Sequence, residues 1–290
     1  MDLDLSGKVV CITGGSRGIG AATASAYAAE KAKVVICARN QASLDEAVEQ
    51  IRAATGATVD AVCADVTRSD DVARLMDHIA QRYGRLDVLV NNAGTGIYKP
   101  FADVTEDDLL NGMSINFFAQ FLVTQRALEL LKKAGVSVVI NVSGRTALRG
   151  NFPPGSSCTG PAKAAEVRFS IDLATELAEH GIRVNCVIPG VVKSEDRFRL
   201  WESQAIAGDL SQASTDTVRD EMEQVSVPVG QGWGTPQDVA NVIVFLSSSR
   251  ASYVNGAALT VDGGPHTKSY VTQLYANRAK IVDQVAHRGG

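Results

Sequence analysis

The sequence has no Cys-x-x-Cys pair, no cluster of histidines and no block of like charge. The four histidines (His78, His180, His266, His287) are scattered, so no metal-ligand spacing exists and no metal site is expected. The formal net charge is -4 without a basic run, which argues against nucleic acid as a partner. No apolar stretch reaches the roughly 18 residues needed to span a bilayer, so no membrane association is expected. The opening "MDLDLSGKVV" is acidic and lacks the charged-then-apolar order of an export signal. These absences point to the cytoplasm. Five cysteines fit a reducing compartment. Cys11, Cys37, Cys63 and Cys186 lie in apolar, strand-like runs and read as buried thiols. Cys158 lies in a loop.

What is present is a rhythm of short apolar runs and amphipathic stretches. "KVVCIT", "AKVVICAR", "RLDVLVNNAG", "VSVVINVS", "GIRVNCVIPG" and "AALTVDGG" read as strands, with helical patterns between them. Strands apolar throughout are buried on both faces, which calls for a parallel sheet covered by helices. The expected fold class is α/β: a Rossmann-type, doubly wound parallel sheet in a single domain over residues 1–264. "TEDD" at 105–108 carries the threonine and acid of a helix-opening capping box. Residues 195–225 break the rhythm and read as an insertion, either a substrate lid or a surface hairpin. Residues 265–290 form a C-terminal extension.

"TGGSRGIG", residues 13–20, follows the first strand and opens the first helix. Gly14 suits the tight turn, while Gly18 and Gly20 let backbone approach a phosphate and the sheet. Ser16, Arg17 and Ile19 complete a loop whose helix N-terminus would face a pyrophosphate. The second strand ends in "ICARNQ", without the acid that grips the ribose hydroxyls of NAD. Arg39 and Arg17 there suit a 2′-phosphate, or are solvated surface cations. NADP(H) is therefore the expected cofactor, with NAD(H) second.

With "ADVT" at 64–67, "NNAG" at 91–94, Asn116 in "SINFFAQF", Lys163 in "AKAAE", "RVNCVIPGVVKS" at 183–194 and "VDGG" at 261–264, the chain resembles the short-chain dehydrogenase/reductase family along nearly its whole length. The resemblance implies seven parallel strands, a nicotinamide cofactor and a homotetramer paired through helices near 105–133 and 160–180. It implies that Asp65 and Val66 hold the adenine and that Asn91, Ala93 and Gly94 line the cofactor. Pro189, Gly190, Val192 and Ser194 would sit near the carboxamide, and Lys163 on the nicotinamide ribose.

The family's centre uses Asn, Ser, Tyr and Lys, and here two of the four differ. Asn116 and Lys163 match. The serine position falls on Gly144, with Ser143 one residue early, and Thr146, Ser156 and Ser157 lie in the loop beyond. The tyrosine position is Thr159, whose alkyl hydroxyl does not ionise near neutrality. Thr159 reads as a helix N-cap or as a substrate contact. The function expected is an NADP(H)-dependent oxidoreductase acting on a carbonyl/alcohol pair with a non-standard centre. The alternatives are a lyase, dehydratase or isomerase on the same scaffold, or a cofactor-binding protein without catalysis. Tyr98, Phe152, Phe198 and Trp201 either suit a small apolar or aromatic substrate or pack in the core.

Overall fold

The sheet has seven parallel strands. They are β1 (Val9–Thr13), β2 (Lys33–Ala38), β3 (Asp60–Cys63), β4 (Val88–Asn91), β5 (Ser137–Val142), β6 (Ile182–Pro189) and β7 (Ala258–Val261). The computed structural model describes residues 2–148, 155–190, 192–193 and 234–263. The strand order is β3-β2-β1-β4-β5-β6-β7, and every pairing is parallel. β1, β4 and β5 are buried at every position, as strands covered on both faces must be.

The helices are α1 (Gly18–Ala29), α2 (Gln41–Thr55), α3 (Ser69–Tyr83), α4 (Glu106–Met113), α5 (Ala119–Lys133), α6 (Thr159–Glu176) and α7 (Pro236–Ser247). The small residues of α1 let it lie close to α7, where the buried Tyr27 hydroxyl donates to Ser247 at 2.6 Å. Valines 72, 123, 139 and 184 and leucines 75, 89 and 131 fill a core between sheet and helices. Burying each such side chain is worth about 1.5–3 kcal/mol.

The helix expected near 105–133 runs from Glu106 to Lys133, with a π-turn at Ser114–Phe118, which carries Asn116, between α4 and α5. One sequence expectation needs correction. Cys63 is exposed rather than buried, because β3 is the edge strand. The capping box at Thr105 and Asp108 is present as expected.

The chain divides into two units, Met1–Pro189 with Pro236–Val261, and Gly190–Thr235 with Asp262–Gly290. The sheet belongs to the first. The expected insertion at 195–225 and the extension at 265–290 lie outside the described residues. The strand order reverses between β1 and β4. In open α/β sheets the crevice beyond the carboxyl ends of such a pair is where ligands bind.

Candidate functional site

The two strand ends at this switch point are laced together. The Thr13 hydroxyl accepts from the backbone N–H of Asn92 and of Ala93, both at 3.0 Å. The Asn92 amide donates to the carbonyls of Thr13 (3.0 Å) and Gly14 (3.2 Å). Gly14 turns the chain at φ +64°. A Cβ on Gly20 would stand 2.2 Å from the Gly14 oxygen, so only glycine fits there. The first turn of α1 carries no acid, and the N-cap residue Arg17 makes no side-chain capping bond, which suits an anion at the helix N-terminus. At Gly18, with φ +52°, a Cβ would meet nothing within 4 Å. This cradle of bare backbone fits the pyrophosphate of a dinucleotide.

Arg17 reaches to the start of α2, donating to the Ser43 hydroxyl at 2.8 Å. Arg39 is exposed at the end of β2, one residue before the α2 cap Asn40. The two cations and the N-terminus of α2 thus gather beyond β2. At the neighbouring strand end, the Asp65 carboxylate accepts from the backbone and hydroxyl of Thr67 (3.0 and 2.7 Å), and Val66 is buried. Asn91 is buried in a polar chain. Its amide donates to Thr124 (2.8 Å) and Asn141 (2.9 Å), and Asn141 donates to Ser170 on α6.

Asn116 is fully buried. Its amide nitrogen donates to the Gly112 and Thr95 carbonyls, and its oxygen accepts from the Thr95 N–H. The π-turn therefore holds the segment that follows β4. Lys163, on α6, turns inward with 8% exposure. A Cβ on Gly94 would lie 3.0 Å from its Nζ and 2.8 Å from the Asn116 oxygen, so Gly94, Asn116 and Lys163 meet at one point.

One residue here carries no motif signal: Glu166. It has no exposed surface, and its carboxylate accepts from Lys163 Nζ at 2.9 Å. Burial pushes its carboxyl up, and the Lys163 ammonium opposes that rise. Helical spacing of three residues could have flagged the pair. Cys186 on β6 lies in the same field. Burial first, then the Glu166 charge, push its thiol up to about 12, so it is inert. Cys158 is buried too.

Ser143 is buried, and its hydroxyl donates to the Lys163 carbonyl at 2.8 Å, holding β5 to α6. At Gly144 a Cβ would touch the Lys163 stem at 3.8–3.9 Å, an ordinary contact that leaves room for a serine. Ser156 is buried and its carbonyl accepts from the Gly160 N–H at 2.7 Å; Ser157 is exposed.

Thr159 is not a helix N-cap. It is the first residue of α6, and the cap position, Cys158, makes no side-chain capping bond. The buried Thr159 hydroxyl accepts from the Ile97 N–H at 2.8 Å and donates to the Ile97 carbonyl at 2.9 Å. It fastens the loop after β4 to α6, and Lys99 ties the same loop to the segment before α6, its N–H donating to the Gly155 carbonyl at 3.0 Å. The Tyr98 ring folds back over Gly96, within 2.4 Å of where a Cβ would stand. Valine at 159 leaves both polar groups of Ile97 unpaired. The expected cost is about 1–3 kcal/mol, read by urea denaturation. A loss within error of zero would contradict this staple.

Pro189 ends β6 opposite Val261. Gly190 and Val192 fall in the second unit. Gly190 packs against Asp262, where a Cβ would meet the Asp262 Cβ at 2.4 Å, and Val192 bridges to Gly234. Ser194, Phe152, Phe198 and Trp201 lie outside the described residues. Among the described residues no group of three or more His, Cys, Asp or Glu could hold a metal ion. No described helix is long and apolar enough to cross a membrane.

The family model described as enoyl-(acyl carrier protein) reductase matches residues 14–266. A 3-oxoacyl-(acyl-carrier-protein) reductase of Thermotoga maritima is 34% identical, over 90% of this chain and 98% of that protein. The crystal structure of L-sorbose reductase from Gluconobacter frateurii, complexed with NADPH and L-sorbose, is similar at a TM-score of 0.82 and 30% identity, covering 91% of this chain and 98% of that one. A 7α-hydroxysteroid dehydrogenase complexed with NADH follows at 0.77 and 31%, covering 91% and 96%. With the strand order, the laced glycine loop and the inward lysine, these likenesses establish that the chain belongs to the short-chain dehydrogenase/reductase family of oxidoreductases.

Proposed function

We propose that this protein is an NADP(H)-dependent oxidoreductase acting on a carbonyl/alcohol pair without an ionisable side chain at position 159. The observation that carries the reading is the convergence of Gly94, Asn116 and Lys163 beside the laced ends of β1 and β4. A bound nicotinamide would supply or accept the hydride. The first turn of α1 would hold the pyrophosphate, and Arg17 and Arg39 the 2′-phosphate, by charge-assisted hydrogen bonds. Lys163 would hold the ribose hydroxyls, and Asn116 keeps the backbone at Thr95 in register with it.

Thr159 has no part in proton transfer, since its hydroxyl is committed to the Ile97 backbone. Lack of a phenol should slow turnover by about 10²–10⁴ relative to a site with a positioned acid. The test is loss of NADPH absorbance with a panel of aldehydes and ketones. Slow, NADPH-dependent reduction is expected, with a pH profile that Thr159→Val leaves unchanged. NADPH binding with no reduction anywhere in the panel would overturn the reading.

Two further features follow from the same reading. L-sorbose reductase and 7α-hydroxysteroid dehydrogenase take a sugar and a steroid. Tyr98, in the 94–99 loop, would favour a small molecule with an apolar face. The protein assembles as a homotetramer in the cytoplasm. Phe118, Phe121 and Ile171 are exposed on the π-turn, α5 and α6, and Phe121 and Phe117 pack on Phe169. Such apolar helix faces suit two-fold pairing. Light scattering should give four chains per particle. A monomer at micromolar concentration would refute this assembly.

A further inference from the structure

Lys163 and Glu166 are three residues apart on α6, so one helical turn brings their heads together. The ammonium–carboxylate distance is 2.9 Å and the carboxylate is wholly buried. The Ser143 hydroxyl stands beside the same carboxylate. The family's pattern pairs its lysine with a tyrosine four residues earlier. Thr159 stands there instead and faces Ile97. The lysine charge in this chain is therefore answered from the other side, by Glu166.

We propose that Glu166 cancels the field of Lys163 at the nicotinamide end of the site, and so sets which redox state of the cofactor the protein holds more tightly. The inference rests on the reading that Lys163 stands at the nicotinamide ribose. The oxidised nicotinamide ring carries a positive charge and the reduced ring carries none. An uncompensated ammonium repels the first and is indifferent to the second. A neutral ammonium–carboxylate pair discriminates far less between them. Asn116, Glu166 and Ser143 are buried while Gly94 is exposed, so the ion pair lies at the edge of the core, where a unit charge acts more strongly than in bulk water. Lys163 Nζ faces Gly94 at the end of β4 rather than solvent, which directs its field toward that end. Glu166 acts through Lys163 and is a positioning residue.

The experiment is calorimetric titration of the full chain with NADP+ and with NADPH, at one pH and ionic strength. Glu166→Gln keeps the acceptor oxygen and removes the charge. It should weaken NADP+ relative to NADPH by about tenfold, the size expected of one unit charge at short range in a partly buried site. Glu166→Leu removes the same charge without burying an amide, and should shift the ratio in the same direction. Adding Lys163→Met to Glu166→Gln removes both charges. Affinity for both nucleotides should then fall while their ratio returns toward the wild-type value. A ratio unchanged in whichever single variant melts like the wild type overturns the proposal. So does a shifted ratio that the double variant fails to restore. Wild-type protein that binds neither nucleotide would instead sink the dinucleotide reading, and this inference with it.

Discussion

Lys163→Ala is expected to cost the folded protein about 3–5 kcal/mol at neutral pH, the usual price of stranding one partner of a buried ion pair. Glu166 has no exposed surface, and Lys163 is its ionic partner. The variant should also reveal its cause through pH. Burial already raises the Glu166 carboxyl above its ordinary 4.5. Removing the ammonium removes the influence that opposes that rise. The groups left facing the carboxyl are the Ser143 hydroxyl on the β5 side and the Cys186 thiol on β6. A carboxyl whose folded-state pKa is raised binds its proton more tightly in the native state than in the unfolded one. The Glu166 contribution to the variant's stability is therefore fully present below about pH 4.5 and is lost as pH rises through the raised value. Urea denaturation across a pH series should show the gap to wild type widening toward neutrality. A gap independent of pH would mean that packing by the lysine stem, not charge, is what Lys163 supplies.

Gly20→Ala should be the most damaging change in the glycine loop. Its methyl would sit 2.2 Å from the Gly14 carbonyl oxygen and 2.6 Å from the Asn92 amide nitrogen. Neither can give way cheaply. The first is backbone, and the second is bound to the Thr13 and Gly14 carbonyls. Relief requires α1 to move away from β1, which opens the lacing between β1 and β4. We expect at least about 1–3 kcal/mol of lost stability, in the range of overpacked cores, together with loss of nucleotide binding. Gly18→Ala is the control. A Cβ there meets nothing within 4 Å, so only the strain of φ +52° remains, about 1–2 kcal/mol. Thermal melts of the two variants should rank Gly20→Ala as the worse. Equal losses would mean that backbone strain, not close packing, governs the loop.

The parallel sheet, the glycine loop and the Thr105 capping box were legible because each depends on residues close in sequence. A buried strand shows itself as an unbroken apolar run, and a phosphate loop by glycines between a strand and a helix. Asn116 and Lys163 were legible through resemblance, and both meet at Gly94. The role of Thr159 was not legible. A threonine before "GPAK" reads as a cap, yet its partner is Ile97, 62 residues away, and no local pattern reports such a contact. Glu166 was missed for a different reason. An acid in a helical run normally marks the solvent face, and only the inward turn of α6 at Lys163 puts this one in the core. The exposure of Cys63 depends on β3 being the edge strand, a fact of strand order rather than of composition. The π-turn at Asn116 has no sequence signature.

The most direct measurement of the central claim, an intact NADP(H) cradle around an altered proton-transfer centre, is calorimetric titration of the wild-type chain with NADPH and with NADH. The account predicts one nucleotide per chain, with NADPH bound more tightly and its advantage removed by Arg39→Ala. Equal affinities for the two, or no binding of either, would contradict it.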